Sequence, residues 1–301
     1  MKTEARKLLL TAIIPIGKMN GNLMILKSWI AQISNYSVKI ILVHDIQDHN
    51  TALELKKLVA EHLGLEIIQI SGRFGSPGAA RNNALHLIDS EWVAFWDCDD
   101  YPLLNNIFNA IDDTDGGVEI LVGGFITRTI GGSISSKRHS VNPSAISVSI
   151  NPGVWRMVFK SELVSNLRFE KIMLAEDQLF LAKMNFITKK VKYISNPFYE
   201  YYTGGLNQLT NNPLLLRDLI VASDKILGEL GDELSSDQTV FNLTLVLRQQ
   251  ITVITKGDYR LKLRSMYLMV KFFIKSDLRT LKLGFLSFKN LVGSARNSKL
   301  S

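Results

Sequence analysis

The sequence predicts an α/β fold, a mostly parallel sheet covered by helices, followed by a C-terminal helical region. Two patterns carry this. Up to about residue 112, short apolar runs alternate with segments whose apolar residues recur at helical spacing, which is the signature of successive βαβ units. Beyond residue 209 the strand-like runs stop and longer helical patterns take over. A boundary near Thr210 therefore divides a first domain, 1–210, from a helical, basic second domain, 211–301.

The near-continuous apolar run 7–16 predicts a strand buried on both faces, closed by Pro15. Residues 23–33 put Leu26, Ile30 and Ile33 on one helical face, and 38–43 is a second buried strand ending in His44-Asp45. The alternation continues with a helix over 51–63, a strand over 65–70, a helix over 77–88 and a strand over 92–96. Pro102 suits the first position of a helix over 103–111, with Asp100 as its cap. A Gly, Ser and Val-rich stretch follows, with a strand over 119–129 and a polar hairpin or loop over 131–140, which has the character of an acceptor-side insertion. A helix over 172–186 opens with acids, and further helices are expected over 214–230, 240–255 and 259–274. In an open sheet of this kind ligands bind beyond the carboxyl ends of the strands. The informative residues are then Pro15 to Lys18, Asp45, Ser71 to Gly78 and Asp97 to Asp100.

With 46% apolar and 21% charged residues, the 301-residue chain has the composition of an ordinary globular protein rather than a disordered one. Its single cysteine, Cys98, rules out an internal disulfide framework, and no Cys/His spacing matches a zinc site. A reducing, cytoplasmic location fits. No signal peptide is expected at the start, and no stretch has the 18 or more uncharged apolar residues of a spanning helix. The net charge of +7 arises at the C-terminal end, where residues 256–301 hold 11 basic and two acidic residues. Those cations are mixed with Leu, Phe, Met and Tyr, a composition suited to peripheral docking on an anionic membrane surface, on the inner face of the plasma membrane; an ordinary helical pack with a basic face is the alternative. No nucleic-acid recognition motif accompanies the charge.

Asp97-Cys98-Asp99-Asp100 crowds three carboxylates at the end of an apolar strand. Carboxylates are preferred ligands of Mg2+ and Mn2+, which also take substrate phosphates. On a continuing strand Asp97 and Asp99 would lie about 6.6 Å apart, too far for both to bind one ion, so direct chelation requires a turn. Asp99 is the better metal ligand, with Asp97 on a nucleotide's ribose or a metal-bound water. Glu176-Asp177 stands at a helix start, where acids also simply favour the helix dipole. The glycine-rich loop 71–78 leads into a helix bearing Arg81, either a forked cation for phosphate or a surface arginine. Asp45 is placed to hold a base or ribose, or to cap the next helix. His44, His49, His62, His86 and His139 have no nucleophile partner at a recognisable spacing, so no hydrolase triad is expected.

In this order, Ile13-Ile14-Pro15, Ile41-Leu42-Val43-His44-Asp45, Gly78-Ala79-Ala80-Arg81-Asn82, Phe95-Trp96-Asp97-Cys98-Asp99-Asp100 and Glu176-Asp177-Gln178-Leu179-Phe180 resemble glycosyltransferase family 2 over about residues 8–210. Val158 to Leu163, Arg168-Phe169 and 199–210 fit the same series. The resemblance implies a GT-A fold with a Rossmann-like nucleotide-binding half. It implies an inverting transferase taking a nucleotide-sugar donor, a UDP-sugar favoured, and a glycan or lipid-linked acceptor in cell-surface polysaccharide synthesis. Pro15, Ile16, Asp45, Arg81, Asp97 and Glu176 would then bind nucleotide or substrate, Asp97 and Asp99 would hold Mn2+ or Mg2+, and Asp177 would be the catalytic base. The chain departs from the family at Ile16-Gly17-Lys18, at His44-Asp45-Ile46-Gln47-Asp48 and at Cys98. Two other classes stay open: a nucleotidyltransferase, although residues 15–21 lack its basic glycine-rich loop, and a non-catalytic scaffold of the same fold. A dinucleotide-binding dehydrogenase is disfavoured by the spacing of Gly72, Gly75 and Gly78.

Overall fold

The strands and helices run, in chain order, β1 (Leu10–Ile16), α1 (Met24–Ile30), β2 (Val38–Asp45), α2 (His49–Glu61), β3 (Ile67–Gly72), α3 (Pro77–Ala84), β4 (Trp92–Phe95), β5 (Tyr101–Pro102), α4 (Leu104–Asp112) and β6 (Ile120–Thr129). They continue with α5 (Ala145–Ile150), β7 (Met157–Lys160), α6 (Ser161–Val164), α7 (Glu176–Lys183), β8 (Val191–Thr203), α8 (Leu216–Gly228), α9 (Ser236–Lys256) and α10 (Tyr259–Lys275). The computed structural model describes residues 8–129, 143–203, 209, 212–229 and 234–275; the loop expected over 131–140 lies outside them. The chain forms two compact units, one of Met1–Pro143, Gly153–Lys171 and Lys190–Gln208, the other of Ser144–Pro152, Ile172–Lys189 and Leu209–Ser301.

The first unit is built on an eight-stranded sheet of order β3-β2-β1-β4-β7-β6-β8-β5. The run β3-β2-β1-β4 is parallel, as the βαβ pattern predicts, with Ile13 paired to both Ile41 and Phe95. β7 pairs antiparallel to β4 and β6, β6 and β8 are parallel, and β5 pairs antiparallel to β8. One face of the sheet buries Leu10, Ala12, Ile14, Leu42 and Ala94 in a single core with Leu26, Trp29 and Ile30 of α1, Leu55 and Leu58 of α2, and Ile107 and Phe108 of α4. Alternate residues such as Ile13, Ile41, Val43 and Phe95 are fully buried too, the double burial that makes these strands continuously apolar. α3 packs on β1 and β2, where Gly78, Ala79 and Ala80 permit a close approach.

All four tryptophans belong to this unit. Trp29 and Trp96 meet edge to face with centroids 5.7 Å apart, Trp92 is buried, and Trp155 stacks on Tyr199 and Tyr201 at 4.8 and 5.5 Å. The register between β6 and β8 shifts at Gly123 and Gly124, where Pro197 enters the ladder. A Cβ on Gly123 would stand 2.2 Å from the Phe198 ring, so only glycine fits there.

The second unit is helical. α8, α9 and α10 pack on one another, α5 and α7 lie against α9, and α7 also meets α8. A small apolar cluster of Ala175, Leu216, Leu219, Ala222 and Val253 is joined by a buried amide network. The Gln249 amide donates to Gln178 at 2.9 Å and the Gln250 amide to the Ser223 hydroxyl at 2.5 Å. Among the described residues, no helix is long and apolar enough to cross a membrane.

Several boundaries differ from the sequence reading for local reasons. The second half of the 23–33 helix is a 3-10 segment, Ala31–Asn35, and the 77–88 helix ends at Ala84. Tyr101 and Pro102 bridge to Glu200 and Tyr199, so α4 starts only at Leu104. The acid-led helix starts at Glu176 rather than 172, because Ala175 takes the left-handed conformation, φ 66°.

Candidate active site

β1, β2 and β3 end in register, with Ile16 opposite His44 and His44 opposite Ser71, and β4 ends beside them at Phe95. The side chain of Ile16 is fully buried in the core, so Ile16 has only its main chain to give a ligand; Pro15 is partly exposed. The carboxylate of Asp45 accepts the N–H groups of Phe74 and Gly75 at 3.0 and 2.9 Å and the Gln47 amide at 3.0 Å. Asp45 thereby fixes the loop between β3 and α3, in which Gly75 holds φ +76°. It does not cap α2; Asp48 does, accepting the Thr51 N–H at 2.7 Å. His44 is buried on the other side of the strand from Asp45. Neither ring nitrogen has a hydrogen-bond partner among the described residues. Burial lowers its pKa, with Asp48 and Asp45 opposing.

Beyond β4 the chain turns, so that the Asp100 N–H approaches the Asp97 carbonyl at 3.4 Å. The strand therefore does not run on straight through Asp99. Arg81 donates to Asp97 at 2.8 Å. Its side chain is 3% exposed, against 31% for that of Asp97, so Arg81 is no surface residue; the guanidinium is engaged with the acid rather than presented on the helix exterior. It also lies 5.3 Å over the Phe169 ring. Asn82, one residue on, clamps the same segment: its amide donates to the Phe169 carbonyl at 2.9 Å and accepts the Phe169 N–H at 2.8 Å. From β8, the Tyr199 hydroxyl accepts the Asp97 N–H at 2.8 Å.

Asp100, expected as a helix cap, is instead buried and accepts the Tyr202 N–H at 2.7 Å, while its carbonyl accepts from the Trp29 indole at 3.1 Å. The bridge of β5 to β8 moves α4 beyond its reach. Burial, then the charges of Asp99 and Asp97, push the Asp100 carboxyl well up. Cys98 is buried among the three acids, and its thiol is pushed well up by the same causes.

Burial, then the neighbouring charge of Asp97, raises the Asp99 carboxyl to about 6. A carboxylate held in this way favours a positive charge from outside the chain. Among the described residues, no cluster of three or more His, Cys, Asp or Glu side chains could hold an ion alone. As hard oxygen donors, Asp97 and Asp99 suit a cation such as Mg2+ or Mn2+ that takes one or two carboxylates and completes its shell with a ligand's phosphates.

Glu176 and Asp177 belong to the second unit, where they form the first turn of α7. Asp218 of α8 accepts the Met173 N–H at 2.8 Å, and the left-handed Ala175 then sends the chain into the helix. Glu176 is buried, and the Asp177 carboxylate accepts the Gln178 N–H at 2.8 Å. The helix N-terminus favours negative charge at both.

The sequence comparison settles the family. The model of glycosyl transferase family 2 matches residues 24–207. The chain belongs to this family. It is a glycosyltransferase, and the nucleotidyltransferase and scaffold alternatives fall away. Among solved structures, S. aureus TarS residues 1–349 in complex with UDP-GlcNAc matches with a TM-score of 0.68 at 16% identity, covering 91% of this chain and 83% of that one. Mannosyltransferase PcManGT from Pyrobaculum calidifontis, in complex with GDP-Man and Mn2+, matches at a TM-score of 0.55 and 13% identity, covering 97% and 87%. These likenesses show the GT-A fold. No curated protein sequence matches the chain.

Three contributors escape a reading of the family motifs. Asn82 stands inside a motif, but its partner is 87 residues away. Tyr199 is 102 residues from Asp97, and its aromatic, β-branched surroundings signal a strand without signalling that contact. The strain at Ala175 has no sequence signature, because alanine is the best helix former and left-handed backbone is a glycine habit.

Proposed function

We propose that the enzyme transfers a sugar, with inversion, from a nucleoside-diphosphate sugar to a hydroxyl of a glycan or lipid-linked acceptor in cell-surface polysaccharide synthesis. The observation that carries this is the turn at the end of β4, where Asp97 is braced by Arg81 and Asp99 is buried beside the Asp97 charge. Asp99, with Asp97, would hold Mn2+ or Mg2+. When bound, the metal would supply Lewis-acid neutralisation of charge on the departing nucleoside diphosphate. Asp45 would meet the nucleoside while it orders the loop around Gly75, and the main chain at Pro15 and Ile16 would line the same end of the sheet. Arg81 would act through Asp97, keeping one carboxylate oxygen occupied and fixing the direction of the other. In the displacement, the acceptor oxygen forms a bond to the anomeric carbon as the bond to the diphosphate oxygen breaks. The acceptor proton passes to the Asp177 carboxylate, and Glu176 would bind substrate beside it. A UDP-sugar is the donor we favour, the kind of ligand carried by the TarS structure.

The test is the thermal midpoint of the purified protein against UDP, GDP, CDP and TDP, with and without Mn2+, because a ligand of the folded state raises it. A metal-dependent rise with one nucleoside diphosphate, lost in Asp99→Ala, supports the reading and names the base. No rise with any of them removes the nucleotide-sugar assignment. Transfer activity that survives Asp177→Asn would remove the base.

A further inference from the structure

α10 buries Ser265, Leu268 and Phe272 against its own unit. At 3.6 residues per turn its opposite side carries Leu263, Met266, Tyr267, Val270, Phe273 and Ile274, each between 47% and 78% exposed. Their spacing makes one unbroken apolar stripe over three turns. Scattered exposed apolar residues are ordinary, but a contiguous stripe opposite the packed face is not explained by folding.

The borders of the stripe are cationic. Arg260, Lys262 and Arg264 are exposed, and Lys271 reaches Asp224 of α8 at 2.9 Å with its Nζ 5.2 Å above the Tyr267 ring. Residues 259–275 include no Asp or Glu. The sequence that follows, 276–301, adds Arg279, Lys282, Lys289, Arg296 and Lys299 against the single acid Asp277.

We propose that α10 lies in the plane of an anionic membrane, with the stripe at the acyl boundary and Arg260, Lys262 and Arg264 on the headgroup phosphates. A face that is apolar along its centre and basic at its margins complements the interface, where long cationic side chains reach upward from the hydrocarbon. A second copy of the chain is a poorer occupant, because pairing two such stripes would bring their basic borders together with no acid on either helix to meet them. This assignment does not depend on the donor or the base of the transferase reaction.

The test uses the full chain and sedimentation with phosphatidylcholine vesicles, with and without a quarter of phosphatidylglycerol. We expect binding only to the anionic vesicles, weakening as salt screens the headgroups. Joint replacement Met266→Ser, Val270→Ser and Ile274→Ser, which leaves the charge unchanged, should weaken binding about tenfold or more. Gln in place of Arg260, Lys262 and Arg264 should weaken it about fivefold per cation. An unaltered thermal midpoint in these variants shows that the fold is intact. Failure to bind anionic vesicles, or binding that ignores the stripe substitutions, overturns the proposal. So does a dimer in sedimentation velocity that the stripe substitutions dissolve while vesicle binding persists unchanged.

Discussion

Arg81 and Asn82 are neighbours on α3 with different tasks: Arg81 braces an acid of the site, and Asn82 pins the main chain at Phe169. Arg81→Ala should cost about 2 kcal/mol, the effect of breaking a buried pair reduced because the Asp97 side chain is 31% exposed. Asn82→Ala should also cost about 2 kcal/mol, since it strands one donor and one acceptor of the backbone. Denaturant midpoints measure both, and they should separate in nucleotide binding, with Arg81→Ala the more damaging because only it frees Asp97. His44 gives a pH dependence. Its folded pKa is depressed below the ordinary imidazole value of about 6.5, so below that pH the unfolded chain takes up a proton that the folded chain resists. Its contribution is complete above about pH 6.5 and is lost as pH falls from there towards the folded pKa. His44→Leu, which removes the unpartnered ring, should flatten the decline in thermal midpoint between pH 7 and 5.

At the scale of elements, periodicity served well where burial alone shapes a segment. The strands β1, β2 and β4 and the helices α2, α9 and α10 follow from apolar spacing, because each faces the core in a simple way. It served less well where a distant partner overrides the local preference. Pro102 has the chemistry of a helix start, yet Tyr101 and Pro102 pair with β8, and Asp100 is drawn to the Tyr202 N–H instead of capping. The same holds for the site: the acids and their order were legible as motifs, whereas the bracing by Arg81, Asn82 and Tyr199 spans 16, 87 and 102 residues and leaves no local trace. Ala175 is the extreme case, a helix former held left-handed at the threshold of α7. Ala175→Gly should leave stability within about 0.5 kcal/mol, the relief of strain offset by the greater freedom of glycine in the unfolded chain. Ala175→Val should cost about 2 kcal/mol, because a β-branched residue resists positive φ. If both variants lose stability equally, the conformation at 175 is not what sets the start of the helix.

For the whole molecule, division in space and division along the chain are different things. A cut at Thr210, where the sequence changes style, would leave α5 and α7 in a fragment without α8 and α9, on which they pack. A 1–210 fragment should therefore keep the parallel sheet but lose ordered α7, and with it the transfer we propose to depend on Asp177; full activity in that fragment would refute this account. The placement of the indoles makes the two units separately visible. Trp29, Trp92, Trp96 and Trp155 all lie in the first unit and none in the second, whose described elements are helices. Intrinsic emission accordingly watches the sheet come apart, while the far-ultraviolet helix signal draws strongly on the other unit. Superimposable denaturation curves from the two signals would mean that the units melt as one cooperative body, and displaced curves would give each unit its own transition. The chain thus carries, without any label, an optical means of asking whether its two halves stand or fall together.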